Sequence, residues 1–255
     1  MHKKSATIFS KLLLQWIPLI MVIYLVVYTV VYVYAYQAQL SRINSDTNSA
    51  TPGFLPDSWD VLHEKAFLTA RLEMAGSDSI GLTVNLRDSV IQLELKGVVL
   101  RQLKFEKAEI PAFFGAIHPV SYIKHFSNPF IIDAIEGAIV KEPVTVKKVP
   151  KDSLEAAAAQ DVTLQSVDQF VEWHVLLNNT FVVSIVQIDE ASTSRRGLFA
   201  YRLNRYRKHF TEFNQQLLSR QLPIVHPEIT IYIPAGDAKA FYRALPPNGQ
   251  VVVVL

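Results

Sequence analysis

The chain has 255 residues, half of them hydrophobic, and a net charge of only +2 from 25 basic and 23 acidic side chains. That balance gives no electrostatic footing for nucleic-acid binding, so no nucleic-acid partner is expected. Cys is absent, which removes disulfides, thiolate nucleophiles and thiolate metal sites together.

Residues 12–36 carry no charge and are almost all Leu, Ile, Val, Tyr or Trp. As a helix, about 25 residues rise roughly 38 Å, more than the roughly 30 Å of a hydrocarbon core. The run is far longer than the roughly 7–15 apolar residues of a cleaved signal. It therefore reads as an uncleaved transmembrane anchor. Lys3, Lys4 and Lys11 precede it and only Arg42 follows closely. The positive-inside rule predicts a cytoplasmic stub at 1–11 and everything after the helix outside. Trp16 fits the inner interfacial belt; Tyr32, Tyr34 and Tyr36 fit the outer one. Tyr24, Tyr28, Tyr32 and Tyr36 recur every fourth residue and share one helix face, a candidate contact face for a second membrane helix. No small-xxx-small motif accompanies it, since the first Gly of the chain is Gly53.

Residues 37–56, rich in Ser, Asn, Thr, Pro and Gly, read as a flexible tether. Residues 57–255 then form the extracytoplasmic part. Without disulfides, that part suits a bacterial envelope, and the expected location is the bacterial inner membrane.

A helix is expected from Asp57 or Ser58 to about Ala75, with Val61, Leu62, Leu68 and Leu72 as its apolar side and Gly76 at its end. Over 80–107 the period changes to two, with turn signals at Arg87-Asp88 and Lys96-Gly97, which predicts a three-stranded antiparallel meander. Residues 110–126 read as helical in pieces, and 129–140 and 142–149 as further strands. The basic and Ala-rich stretch 147–168 is a candidate subdomain boundary. Residues 170–177 and 180–188 predict a central hairpin turning at Asn178-Asn179. The clearest helix is 192–219, where Phe199, Leu203, Tyr206, Phe210, Phe213 and Leu217 form one stripe expected to pack on the neighbouring sheet. The end reads β-α-β over 228–233, 235–245 and 250–255. A right-handed crossover could place its two strands parallel, and the last strand should be buried on both faces. The fold class is α+β: one transmembrane helix, then a mixed domain of antiparallel meander, long amphipathic helix and C-terminal β-α-β.

Chemistry is sparse. Ser121 and Lys124 match S-x-x-K, where one helical turn brings an amine beside a serine hydroxyl. The partner motifs K-T-G and S-D-N are missing, which leaves an exposed loop or helix as the plainer reading. None of the seven His residues has a partner at i,i+4, and there is no H-E-x-x-H, so no metal is expected. His174, inside an apolar strand beside Trp173, reads as a hydrogen-bonded packing residue. With nine Gly and no phosphate loop, no cofactor is expected. Arg195, Arg196, Arg202, Arg205 and Lys208, with Arg207 and Arg220, crowd the long helix. They form a solvated face or a site for an anionic partner such as lipid headgroups, envelope polymer or an acidic protein.

The plan of stub, single helix and small periplasmic domain is similar to that of energy-transducing biopolymer-transport subunits. Their proton path needs an intramembrane Asp, and residues 12–36 hold none. Residues 80–105 are somewhat like the opening strands of L,D-transpeptidases, which depend on a catalytic Cys. The chain is assigned to neither family. The leading expectation is a single-pass envelope protein whose non-catalytic domain binds a partner or acts as a scaffold; a homo-oligomer is compatible with it. The alternatives are a membrane-tethered hydrolase using Ser121 and Lys124, and a membrane-complex subunit acting through its tyrosine face.

Overall fold

The computed structural model describes residues 3–45, 59–139, 141, 170–188 and 195–255; the side chains of 3–15 and 195–197 are outside this set. The expected strand at 142–149 and the boundary at 147–168 lie outside the described residues.

Helix α1 runs unbroken from Lys3 to Asn44 with Pro18 inside it. Residues 16–27 are exposed throughout. From Ala35 onward the helix belongs to the domain. Ala35 is buried, and Tyr36, Leu40 and Ile43 pack against the core. Gln39 donates its side-chain amide to the Thr180 carbonyl at 2.7 Å. The Asn44 side chain donates to the Ala116 carbonyl at 3.3 Å and accepts from the His118 amide at 2.8 Å. Residues 37–44, expected as part of a flexible tether, are therefore helical and docked; 46–58 lie outside the described residues.

The domain is built on a nine-stranded sheet. Strands β1 (Gly81–Asn85), β2 (Val90–Leu95) and β3 (Val98–Lys104) form the expected antiparallel meander. Lys96 and Gly97, at φ of 51° and 76°, supply the left-handed pair that a two-residue hairpin turn needs. Strand β4 is short (Lys107–Glu109), followed by helices α3 (Ala112–Gly115) and α4 (Pro119–Phe126), the two helical pieces expected over 110–126. Strand β5 (Phe130–Gly137) leads to the hairpin β6 (Glu172–Leu177) and β7 (Phe181–Gln187). That hairpin turns at Asn178 and Asn179, whose φ values of 46° and 49° Asn tolerates better than most residues. Helix α5 (Arg195–Leu218), strand β8 (Glu228–Ile233), helix α6 (Ala235–Ala244) and strand β9 (Gln250–Val254) complete the chain.

The strand order is β3-β2-β1-β9-β5-β6-β7-β8-β4. Strand β5 joins the two halves: Phe130 and Ile131 pair with β9, and Ile132 onward pairs with β6. The parallel arrangement considered for the two C-terminal β-α-β strands does not occur: they run in opposite directions. β8 lies parallel to β7 and β9 lies parallel to β1, with three strands between them. Helix α6 instead carries the chain from one half to the other, with Ala238 and Phe241 fully buried beneath it. The last strand is buried on both faces as expected, Val251 through Val254 all being covered. At the base of the core, the rings of Phe113, Phe114, Phe181, Phe130, Phe126 and Tyr122 contact one another in sequence.

Two helices bury a side other than the one the apolar count suggests. In α2 (Trp59–Ala75) the buried residues are Ala66, Ala70 and Met74, while Val61, Leu68 and Leu72 are exposed. Small side chains let this helix lie close on β9, where Ala70 and Met74 meet Val252. The Met74 side chain also fills the space over Gly81 of β1, where a Cβ would fall 2.3 Å from its sulfur and require the Met side chain to move. In α5, Phe199, Leu203, Tyr206 and Phe210 are exposed, and of the expected stripe only Phe213 is buried. The sheet face beneath α5 carries carboxylates, and it takes the basic side of the helix instead.

Stability measurements should separate core from stripe. Trp173→Ala removes a fully buried side chain and is expected to cost about 3–5 kcal/mol in denaturant unfolding of the detergent-solubilised chain. Phe210→Ala, at 49% exposure, should cost less than about 1 kcal/mol.

Candidate functional site

Period-two alternation sorts the side chains of β6, β7 and β8 onto two faces. Trp173, Val175, Val183, Ile185, Ile229 and Ile231 point into the core. Glu172, His174, Ser184, Glu228, Thr230 and Tyr232 occupy the alternate positions, on the face that α5 covers. His174 stands directly across from Ser184 in the antiparallel register, and Ser184 is level with Thr230 in the parallel one.

These groups form a connected network. The Ser184 hydroxyl donates to Glu228 Oε1 at 2.5 Å. His174 Nδ1 is 2.6 Å from the same hydroxyl oxygen. Because that oxygen gives its proton to Glu228, it accepts from Nδ1. His174 Nε2 lies 3.3 Å from Glu172 Oε1. Arg202 Nε donates to Glu172 Oε2 at 2.8 Å, and both Arg205 terminal nitrogens donate to Glu228, at 2.9 and 3.3 Å. Lys208 pairs with Glu136 of β5 at the edge of the layer. The Tyr201 ring stacks over His174 with an interplanar angle of 7°. A cleft of about 250 Å³ opens beside the network, lined by Glu172, Arg202, Arg205, His209 and Glu228 among others.

The electrostatics follow from these contacts. Burial alone would raise the Glu172 carboxyl, but the nearby His174 and the hydrogen bond from Arg202 outweigh it and hold the group below its ordinary range. Glu228 shows the same contest, and the nearby His174 with donation from Arg205 and Ser184 brings it well down. Glu136 is lowered chiefly by its hydrogen bond from Lys208, and Lys208 is raised by the same bond. Burial raises the Tyr201 phenol.

A serine, a histidine and a glutamate within hydrogen-bond reach invite comparison with a hydrolase triad, but the roles run the wrong way. A nucleophilic serine gives its proton to the imidazole and faces substrate. Ser184 gives its proton to a carboxylate and has no exposed surface. The cleft is lined by Glu172 and Glu228 but not by Ser184. The carboxylates are also poor cation ligands, since a guanidinium already neutralises each of them. The arrangement is a polar seat for α5.

Of the residues singled out in the sequence, Arg202, Arg205 and Lys208 all turn toward carboxylates of the protein's own sheet. The side chains of Arg195 and Arg196 lie outside the described residues. Ser121 and Lys124 share α4, which starts at Pro119 with His118 as its cap. Ser121 is buried without a hydrogen-bond partner for its hydroxyl, whereas Lys124 is exposed. The tyrosine face meets the domain: the Tyr24 ring is 6.0 Å from Phe210, Tyr28 is 4.4 Å from Phe213, and Tyr36 is 5.1 Å from Phe113. His174 is buried and hydrogen-bonded, as its place in an apolar strand leads one to expect. Sequence reasoning missed Glu172, Ser184, Tyr201 and Glu228. The first two are polar residues in a run that is otherwise almost continuously apolar, and that was the available signal.

No family model matches the chain, and no curated protein matches its sequence. Among solved structures, the crystal structure of Mycobacterium tuberculosis L,D-transpeptidase 1 aligns over 70% of this chain at 11% identity and a TM-score of 0.29. The chain spans 63% of that protein's length.

The seat makes two tests. Arg205→Ala strands the Glu228 carboxylate in the layer and should cost about 1–3 kcal/mol by chemical denaturation, with Ser184→Ala near the low end of that range. Carboxylates with lowered folded-state pKa values contribute stability that is full above their unfolded value and is lost as pH falls through the folded one. The full-length chain should therefore hold its unfolding midpoint through neutral pH and lose it well below roughly pH 4, under the ordinary carboxylate range. The double variant Glu172→Gln, Glu228→Gln should show a smaller acid-side loss.

Proposed function

We propose that this is a single-pass, membrane-anchored envelope protein whose domain binds a partner or acts as a scaffold and performs no catalysis. One observation carries the reading. A single continuous helix, α1, has an exposed apolar stretch long enough to cross a membrane, and its other end is built into the core of the domain. The lysines ahead of that stretch support a cytoplasmic N-terminus and a domain on the far side of a bacterial inner membrane. A rigid stem suits a protein that presents a surface at fixed height better than one that must roam on a tether. Among the described residues, the Ser184–His174–Glu228 cluster keeps its serine buried and donating to a carboxylate, which supports the non-enzymatic reading.

A C-terminal alkaline phosphatase fusion is expected to be active and a C-terminal GFP fusion dark, with the chain retained in the pellet after alkaline carbonate extraction. Bright GFP with inactive phosphatase would reverse the orientation. A fluorophosphonate probe should leave the protein unlabelled; labelling lost in Ser121→Ala or Ser184→Ala would replace the scaffold by a hydrolase.

A further inference from the structure

Helix α5 is amphipathic with its apolar side outward. Phe199, Leu203, Tyr206 and Phe210, spaced 4-3-4, are 67%, 46%, 72% and 49% exposed. The stripe cannot rotate inward, because the opposite side of the helix is fixed by Arg202 on Glu172, Arg205 on Glu228 and Lys208 on Glu136. It also does not end in open solvent. Phe210 abuts Tyr24 of α1, the adjoining Phe213 abuts Tyr28, and the Tyr24 hydroxyl donates to Asn214 Oδ1 at 2.8 Å. Around Tyr24 on α1, Met21, Val22, Leu25 and Val26 are all exposed. The aromatic stripe is thus continuous with the apolar surface of the helix that is long enough to cross a membrane.

We propose that the α5 stripe rests in the headgroup–acyl boundary of the bilayer that α1 crosses, so that the domain is seated on the membrane by two contacts. The inference rests on the reading of α1 as an anchor. A bilayer is favoured over a second protein by that continuity: if α1 is in lipid at this level, the surface joined to it meets the same lipid. Phe and Tyr beside a basic residue, here the exposed Arg207, are the side chains that lie in an interface plane. The seating also sets depth. Arg207, His209 and Glu212 keep α5 out of hydrocarbon, so the outer boundary falls near Tyr24–Tyr28. About 20 residues are needed for a roughly 30 Å core, so a boundary at Tyr28 starts the span near residue 9, just ahead of Lys11, and leaves the expected outer belt of Tyr32, Tyr34 and Tyr36 above the hydrocarbon. Residues 29–44 then form a helical stem in the outer headgroup layer and above it.

The absence of Cys makes the test direct. Single variants Val22→Cys, Phe199→Cys, Tyr206→Cys and Lys104→Cys of the full-length chain carry a nitroxide label in nanodiscs of phosphatidylethanolamine and phosphatidylglycerol. Collision rates with oxygen, which partitions into lipid, and with a nickel chelate, which stays in water, are read at each site. The ratio of oxygen to nickel accessibility should be highest at 22, several-fold above the position-104 value at 199 and 206, and lowest at 104 on the exposed strand β3. Water-like ratios at 199 and 206 with a lipid ratio at 22 would overturn the seating and leave the anchor standing. A water-like ratio at 22 as well would overturn both. Labels at 199 and 206 shielded from both reagents would mean a protein contact, a second copy or another chain, and would also overturn it.

Discussion

The arrangement of the domain depends on two carboxylates that the sheet presents on its outer face. Glu172 and Glu228 stand on adjacent sides of the β6–β7–β8 layer and are covered by a helix. Ionised groups in such a layer are costly unless a cation and further donors complete their shell. Arg202 and Arg205 supply the cations, and His174 and Ser184 occupy the space between the two carboxylates. The three residues Arg202, Arg205 and Lys208 sit at the 3-3 spacing that keeps them on one side of a helix. Their pairing fixes the rotation of α5 about its axis, and with it the side that α5 turns outward.

The position of α1 depends on that rotation. The side of α5 turned from the sheet carries aromatics, and the tyrosine face of α1 packs on the end of that row. Higher up, the same face reaches Phe113, and Gln39 and Asn44 are hydrogen-bonded to the domain. A helix of 42 residues would be free to pivot if it joined its domain through a linker. Here contacts extend from Tyr24 to Asn44, about 30 Å along the helix axis, so the helix is docked on the domain along that length.

The strands could be read from the sequence because their signals are local. Alternation over 80–105, the Lys96-Gly97 and Asn178-Asn179 turns, and the run of valines at the end each specify their own neighbourhood. The relative direction of β8 and β9 could not be read, because the choice of neighbour is made elsewhere, by the two-residue pairing of Phe130 and Ile131 with β9. The faces of α2 and α5 could not be read for a related reason. Counting apolar residues assumes that the largest ones go inward, yet β9 accepts only Ala and Met at close range, and the β6–β8 face demands cations. The site was half legible. His174 stood out as a polar residue in an apolar run, and Ser184 and Glu172 repeat that signal, but Glu228 comes from a strand much later in the chain and nothing local ties it to them. Conversely, the S-x-x-K match was legible and leads to a buried serine and an exposed lysine.

The energetics explain why α5 keeps its aromatic side out. Turning the stripe onto the sheet would remove several large side chains from water, a gain of about 1.5–3 kcal/mol each at full burial. It would also take the guanidinium groups away from Glu172 and Glu228 while apolar rings covered them. Losing the guanidinium from a part-buried carboxylate costs about 1–3 kcal/mol, and two such pairs would be broken together with the Lys208–Glu136 pair. In water the observed orientation keeps the ion pairs but leaves the aromatic stripe uncovered, and the exposed stripe is a liability. Against a bilayer the contest disappears. The aromatic side finds an apolar boundary outside the protein while the cations keep their carboxylates inside it. An inside-out amphipathic helix beside a membrane-length one is the arrangement that satisfies both surfaces at once.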